Sequence, residues 1–171
     1  MTRIKELLEQ ISDLTAEGED GDDYEVEMQD PLSGEELENL MKQMTLPQEL
    51  CDFYALSNGM QLLSEELYEA DSLQHVDDII LFHSFDNGDF TCIATKKSEY
   101  PEGSILFMNH SPDVLVPVAD SLYDWIDKVV AEIQAKGCLL HPADYFHQPD
   151  EQGVYSQVLN DLKGRDCELN S

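Results

Sequence analysis

The chain has 171 residues and a mass of 19.4 kDa, enough to bury one working core. Its 42% apolar share lies slightly under the usual globular figure, which predicts that part of it stays unpacked. Nine Lys and Arg against 37 Asp and Glu leave a formal charge of −28, which repels phosphate backbones and anionic headgroups and makes nucleic acid and membrane surfaces poor partners.

The first segment places Ile4, Leu7, Leu8, Ile11 and Leu14 at helical spacing, which predicts an N-terminal helix over residues 1–14 without the apolar stretch of a secretory signal. From Asp13 to Asp30 there are nine acids and no base, with Gly18 and Gly21 among them, so residues 15–31 read as a flexible acidic linker. Ser33 opens a second helix with Glu36 three positions on and Leu37, Leu40, Met41 and Met44 on one face. Pro47 begins a short third helix bearing Leu50, Phe53, Tyr54 and Leu56, which Asn58-Gly59 ends.

Beyond Gly59 the period changes. The apolar runs 79–85 and 90–95 flank Asp86-Asn87-Gly88-Asp89, where Asn-Gly favours the primed turn of a β-hairpin. Two further strands are expected at 104–109 and 114–119. Ser121 and Asp124 then cap a helix in which Leu122, Trp125, Ile126, Val129, Val130 and Ile133 form a wide apolar face that Gly137 terminates. A loop through His141-Pro142 follows, and Val154, Tyr155, Val158, Leu159 and Leu162 suggest a last helix in an extension, 138–171, that packs on the same domain.

Little in the chain points to catalysis, a metal or a cofactor, and none is expected. Cys51, Cys92, Cys138 and Cys167 form no CxxC, so neither a disulfide framework nor a zinc knuckle is indicated and a cytoplasmic setting is expected. No Lys or Arg lies between Lys42 and Lys96, whereas ten acids do, so Cys51 and Cys92 read as buried sulfurs and not as activated thiols. His141, Asp144 and His147 are a weaker alternative, a small metal-binding or enzymatic site without strong ligand spacing. Counting from Asp20, position 12 of a calcium loop falls on Pro31, where a Glu is required. No Gly-rich phosphate loop or nucleophile elbow is present. What remains is the charge, which suits a basic protein partner. Glu65, Glu66, Glu69, Asp71, Asp77 and Asp78, with Asp86 and Asp89 of the turn, are the residues expected to face it.

Leu46-Pro47-Gln48-Glu49-Leu50, then Phe53-Tyr54 and Ser57-Asn58-Gly59, resembles the SUKH superfamily, the Smi/Knr group. The later parts agree in order: a hairpin over Phe82 to Ile93, strands at Ile105 to Met108 and Val114 to Val118, and a closing helix with Trp125 in its first turn. The resemblance covers roughly residues 33 to 136, and Met60 to Asp78 is not specified by the motif. It implies an α+β core over 32–137, with a central, mostly antiparallel or mixed sheet of about four to six strands flanked by about four to five helices. It also implies a protein-binding module and not an enzyme. Bacterial members of such families resemble immunity proteins that neutralise toxin domains, many of them basic, and fungal relatives look like regulators of cell-wall assembly. An immunity-type reading is the leading expectation, and a cytoplasmic regulatory scaffold is the alternative.

Overall fold

Apolar residues three and four apart wind the N-terminal segment into α1 (Thr2–Ser12), whose Ile4, Leu7, Leu8 and Ile11 are buried. A computed structural model describes residues 2–17, 23–63, 65–85, 88–109, 115–142 and 153–158. After α1 come β1 (Thr15–Glu17), β2 (Asp23–Met28), α2 (Gly34–Gln43), α3 (Gln48–Tyr54), β3 (Met60–Leu62), β4 (Glu65–Leu67), a 3₁₀ turn at Ala70–Ser72 and β5 (Gln74–Val76). Then follow β6 (Ile79–Ser84), β7 (Phe90–Ala94), β8 (Ile105–Met108), β9 (Leu115–Ala119) and α4 (Leu122–Lys136).

The capping chemistry forms as the residues require. Ser33 Oγ accepts the Glu36 N–H at 3.2 Å and donates to the Glu36 carboxylate at 3.1 Å, and Ser121 Oγ accepts the Asp124 N–H at 3.1 Å. Gly137 takes the left-handed conformation at φ 76° and its N–H returns to the Ile133 carbonyl at 2.7 Å, closing α4. Burying Leu122, Trp125, Ile126, Val129, Val130 and Ile133 against the sheet stabilises α4 by about 1.5–3 kcal/mol for each large side chain.

The fold is α+β, with an entirely antiparallel sheet in the order β1-β2-β3-β4-β6-β7-β8-β9, and β5 pairs with the far end of β6 beside β4. The described residues thus contain nine strands where about four to six were expected. The extra strands come from two places. β3, β4 and β5 are each three residues long, too short to show a period. β1 and β2 lie in the segment expected to be an acidic linker, and β2 pairs with β3 through Val26 opposite Leu62 and Met28 opposite Met60. That expectation is corrected over residues 15–17 and 23–28: Val26 and Met28 pack toward the core, so the alternation of DYEVEM outweighs its charge.

Strands β6 to β8 are buried on both faces, which is why they read as continuous apolar runs. Ile80, Phe82, Ile93, Ile105 and Phe107 join the core under α1, α3 and α4, whereas Ile79, Leu81, Cys92, Leu106 and Met108 form a second cluster on the opposite face. A bulge in β6 shifts the register between Leu81, opposite Cys92, and His83, opposite Thr91. Phe82 and His83 consequently both meet Trp125 of α4. Beyond α4, Val154, Tyr155 and Val158 enter the main core, and 156–158 take one helical turn, while 159–162 of the expected last helix lie outside the described residues.

Candidate functional site

The corner around Pro47 ties three elements together. Glu49 of α3 accepts the Leu122 N–H at 2.8 Å, filling a position that the first turn of α4 leaves open. Burial raises its carboxyl above the usual range, while backbone N–H groups of Leu122 and Tyr123 oppose that shift. Asp52, one turn on, accepts the Tyr123 hydroxyl at 2.8 Å, and Tyr54 donates its own hydroxyl to the Tyr68 carbonyl at 2.7 Å. Ser57 is buried, donates to the Gly59 carbonyl at 2.6 Å and accepts the Gln29 N–H at 3.0 Å, while Asn58 Oδ1 accepts the Ala70 N–H at 2.9 Å. Gly59 has φ 88°, and a Cβ there would lie 2.8 Å from Glu69 N and 2.9 Å from Leu67 O. These polar groups hold the chain in place, so the motif encodes a fold and carries no reactive group.

The acids expected to face a partner separate into three sets. Glu66, Glu69, Asp71, Asp77 and Asp78 are exposed. They do not converge, because Glu66 pairs with Ser84 at one end of β6 whereas Asp77 and Asp78 form the turn before Ile79 at the other, roughly 17 Å away at the rise of a strand. Glu65 and Asp89 correct the expectation. Glu65 shares the inward face with Leu67 and its Oε1 lies 2.7 Å from His83 Nε2, and fully buried Asp89 lies 2.7 Å from His141 Nε2. Asp86 lies outside the described residues.

A different acidic set does converge. Cross-strand pairing sets Glu27 opposite Gln61, Gln61 opposite Glu66 and Glu66 opposite Ser84, with exposed Glu25 two residues along β2 on the same face. The row continues through Phe90, Met108 and Leu115, so the outward face passes from acidic at β2–β4 to apolar at β7–β9. Glu25 and Glu27 escaped the sequence reading because charge hid a strand. The usable signal was the two-residue alternation of apolar Tyr24, Val26 and Met28 with acids.

The model of the SMI1 / KNR4 family (SUKH-1) matches residues 31–128, more than half of the chain. The chain belongs to this family. A search of curated proteins finds no match to it. The SUKH-1 match begins just before α2 and ends within α4, so α1, β1, β2 and the segment after residue 128 are additions flanking the family region.

Within this SUKH-1 chain one constellation has the outline of a catalytic triad. Thr91 Oγ1 lies 2.7 Å from His83 Nδ1, and His83 Nε2 lies 2.7 Å from Glu65, a hydroxyl, an imidazole and a carboxylate in order. Thr91 is fully buried and Tyr155 OH sits against it at 2.7 Å, so its oxygen has no approach for a substrate. Burial raises the thiols of Cys51 and Cys92, with Asp52 adding to the rise at Cys51, which keeps both unreactive. A cleft of about 490 Å³ between β9, α4 and residues 153–157 is lined by Pro117, Ala131, Ala135 and Val154, and the Glu132 carboxylate beside it accepts two backbone N–H groups. Among the described residues no group of three His, Cys, Asp or Glu side chains is placed to hold a metal ion, and no helix is long and apolar enough to cross a membrane. His141 faces Asp89, while Asp144 and His147 lie outside the described residues.

Proposed function

We propose that this SUKH-1 chain is a non-enzymatic protein-binding module of the immunity type, which neutralises a basic toxin or effector domain by covering its charged surface. The observation that carries the reading is the outward row of Glu25, Glu27 and Glu66 on β2–β4, held in register by the sheet in a chain of charge −28. Fixed carboxylates on a rigid face attract a basic partner over long range without the entropy cost of ordering a loop. Membership of the family, and the burial of Thr91 in the triad-like row, support binding over catalysis.

Capture with the tagged chain from its native lysate, elution by a salt step and mass spectrometry test the proposal. It expects one basic toxin or nuclease domain, whose activity falls when the purified chain is added in equimolar amount. Recovery of cell-wall or signalling proteins would move the reading to a regulatory scaffold. A partner whose binding ignores salt would contradict electrostatic attraction.

A further inference from the structure

Four hydrogen bonds join five side chains from five parts of the fold into one row. Trp125 Nε1 lies 3.0 Å from Tyr155 OH, Tyr155 OH 2.7 Å from Thr91 Oγ1, Thr91 Oγ1 2.7 Å from His83 Nδ1, and His83 Nε2 2.7 Å from Glu65 Oε1. Trp125, Tyr155, Thr91 and His83 have no solvent exposure, so water cannot complete a missing bond. Each link holds one hydrogen. Indole, phenol and threonine hydroxyl bring one each and a neutral imidazole brings one, so four hydrogens meet four links.

The ends of the row fix its direction. The indole only donates and the Glu65 carboxylate only accepts. Neutral His83 must therefore carry its hydrogen on Nε2, Thr91 must donate to Nδ1, and Tyr155 must donate to Thr91. A doubly protonated His83 brings a fifth hydrogen. Nδ1 then donates to Thr91, and the hydroxyl hydrogen of either Thr91 or Tyr155 is left buried without an acceptor.

We infer that the charge of His83 sets the direction of this row and thereby governs how firmly the segment 153–158, anchored by Tyr155, is held on the sheet. With His83 neutral the segment is latched. With His83 protonated it loosens, baring the rings of Phe85 and Phe107 that Tyr155 packs against at 5.0 and 6.1 Å. The charged group in contact with the imidazole is Glu65 from β4. Tyr155 reaches it through Thr91 of β7, and Trp125 of α4 and Phe85 contribute uncharged rings. Farther out stand His141 with Asp89, across Phe85, and Glu132 of α4, whose charge acts on Tyr155 together with that of Glu65.

Two measurements on the full chain test this: ring-nitrogen NMR of His83 across pH, and hydrogen exchange of residues 153–158 corrected for intrinsic rates. The expected results are a neutral ring protonated on Nε2 and a protection of 153–158 that falls about tenfold as the ring gains its second proton, the size expected of one orphaned buried hydroxyl. In Thr91→Val, which keeps the shape and removes the hydroxyl between the imidazole and Tyr155, the Tyr155 hydrogen lacks an acceptor whatever the charge of His83, so protection is low throughout and no longer follows that charge. A neutral ring protonated on Nδ1 would overturn the inference, and so would protection unchanged across the titration or a ring that gains no proton before the whole chain unfolds. The wild-type pH curve kept in Thr91→Val would also overturn it, assigning the loosening to His141, Asp89 or Glu132. If Thr91→Val does not fold, the ring tautomer and the wild-type exchange curve still decide.

Discussion

Replacing Glu132 by alanine removes a carboxylate that is only 6% exposed, accepts the Leu140 N–H at 2.9 Å and the Val154 N–H at 3.0 Å, and lies 3.7 Å from Lys136 Nζ. The two N–H groups belong to opposite ends of the path after α4, so one side chain clamps both to the helix. A hydrogen bond to a charged acceptor contributes about 1.5–3 kcal/mol. Leu140 is half-buried and can turn to water, which puts its bond at the low end, whereas the Val154 bond is buried and belongs at the high end. The pairing with Lys136 adds less than about 1 kcal/mol, and relief of carboxylate desolvation offsets part of the loss. The expected net loss is about 2–4 kcal/mol, a fall in Tm of roughly 5–15 °C for a domain of this size. Urea unfolding reads it as a lower midpoint with an unchanged slope, and amide exchange at Leu140 and Val154 rises with it. Glu132→Gln, which keeps one acceptor oxygen, loses about half as much. A loss below about 1 kcal/mol, or equal losses in the two variants, would refute the clamp.

Gly59→Ala forces a side chain into a left-handed residue and against two backbone atoms within 3 Å, so stability falls by at least about 2 kcal/mol, and an unfolding midpoint equal to wild type would contradict that geometry. Burial raises the phenols of Tyr54 and Tyr155, so the folded chain keeps protons that the unfolded chain releases near pH ~10. Stability is accordingly complete below that pH and drops as pH rises above it, and phenolate absorbance from these two rings appears only with unfolding; a native spectrum with all seven tyrosines ionised would refute it. Alkylation of the native chain modifies exposed Cys138 and spares Cys51 and Cys92 until denaturant is added, and fast labelling of Cys92 would show that the second core cluster is open.

The elements legible in the sequence are those whose pattern and caps agree: α2 and α4 with their Ser caps, α3 behind Pro47, and the hairpin of β6 and β7. What escaped was either short or charged. Three-residue strands offer no period, and β2 presents Glu25 and Glu27 outward, so its composition argued for a linker while its alternation argued for a strand. At the site the error was one of parity. Glu65 stands two residues before buried Leu67, and Asp89 two before buried Thr91, so both share the faces of core residues and turn inward, where histidines meet them. His83 and Thr91 carried no motif, and the bulge that aims His83 at α4 has no signature in the residues themselves.

The most direct test of protein binding through the acidic face is the association rate with the captured partner, measured against salt for wild type, for a Glu25→Gln, Glu27→Gln, Glu66→Gln variant, and for Glu38→Gln on the exposed side of α2 as control. Expected are a rate that falls with salt, a reduction of about tenfold in the triple variant at low salt, and little change in the control. A triple variant that associates as fast as wild type, or no more slowly than the control, would contradict it.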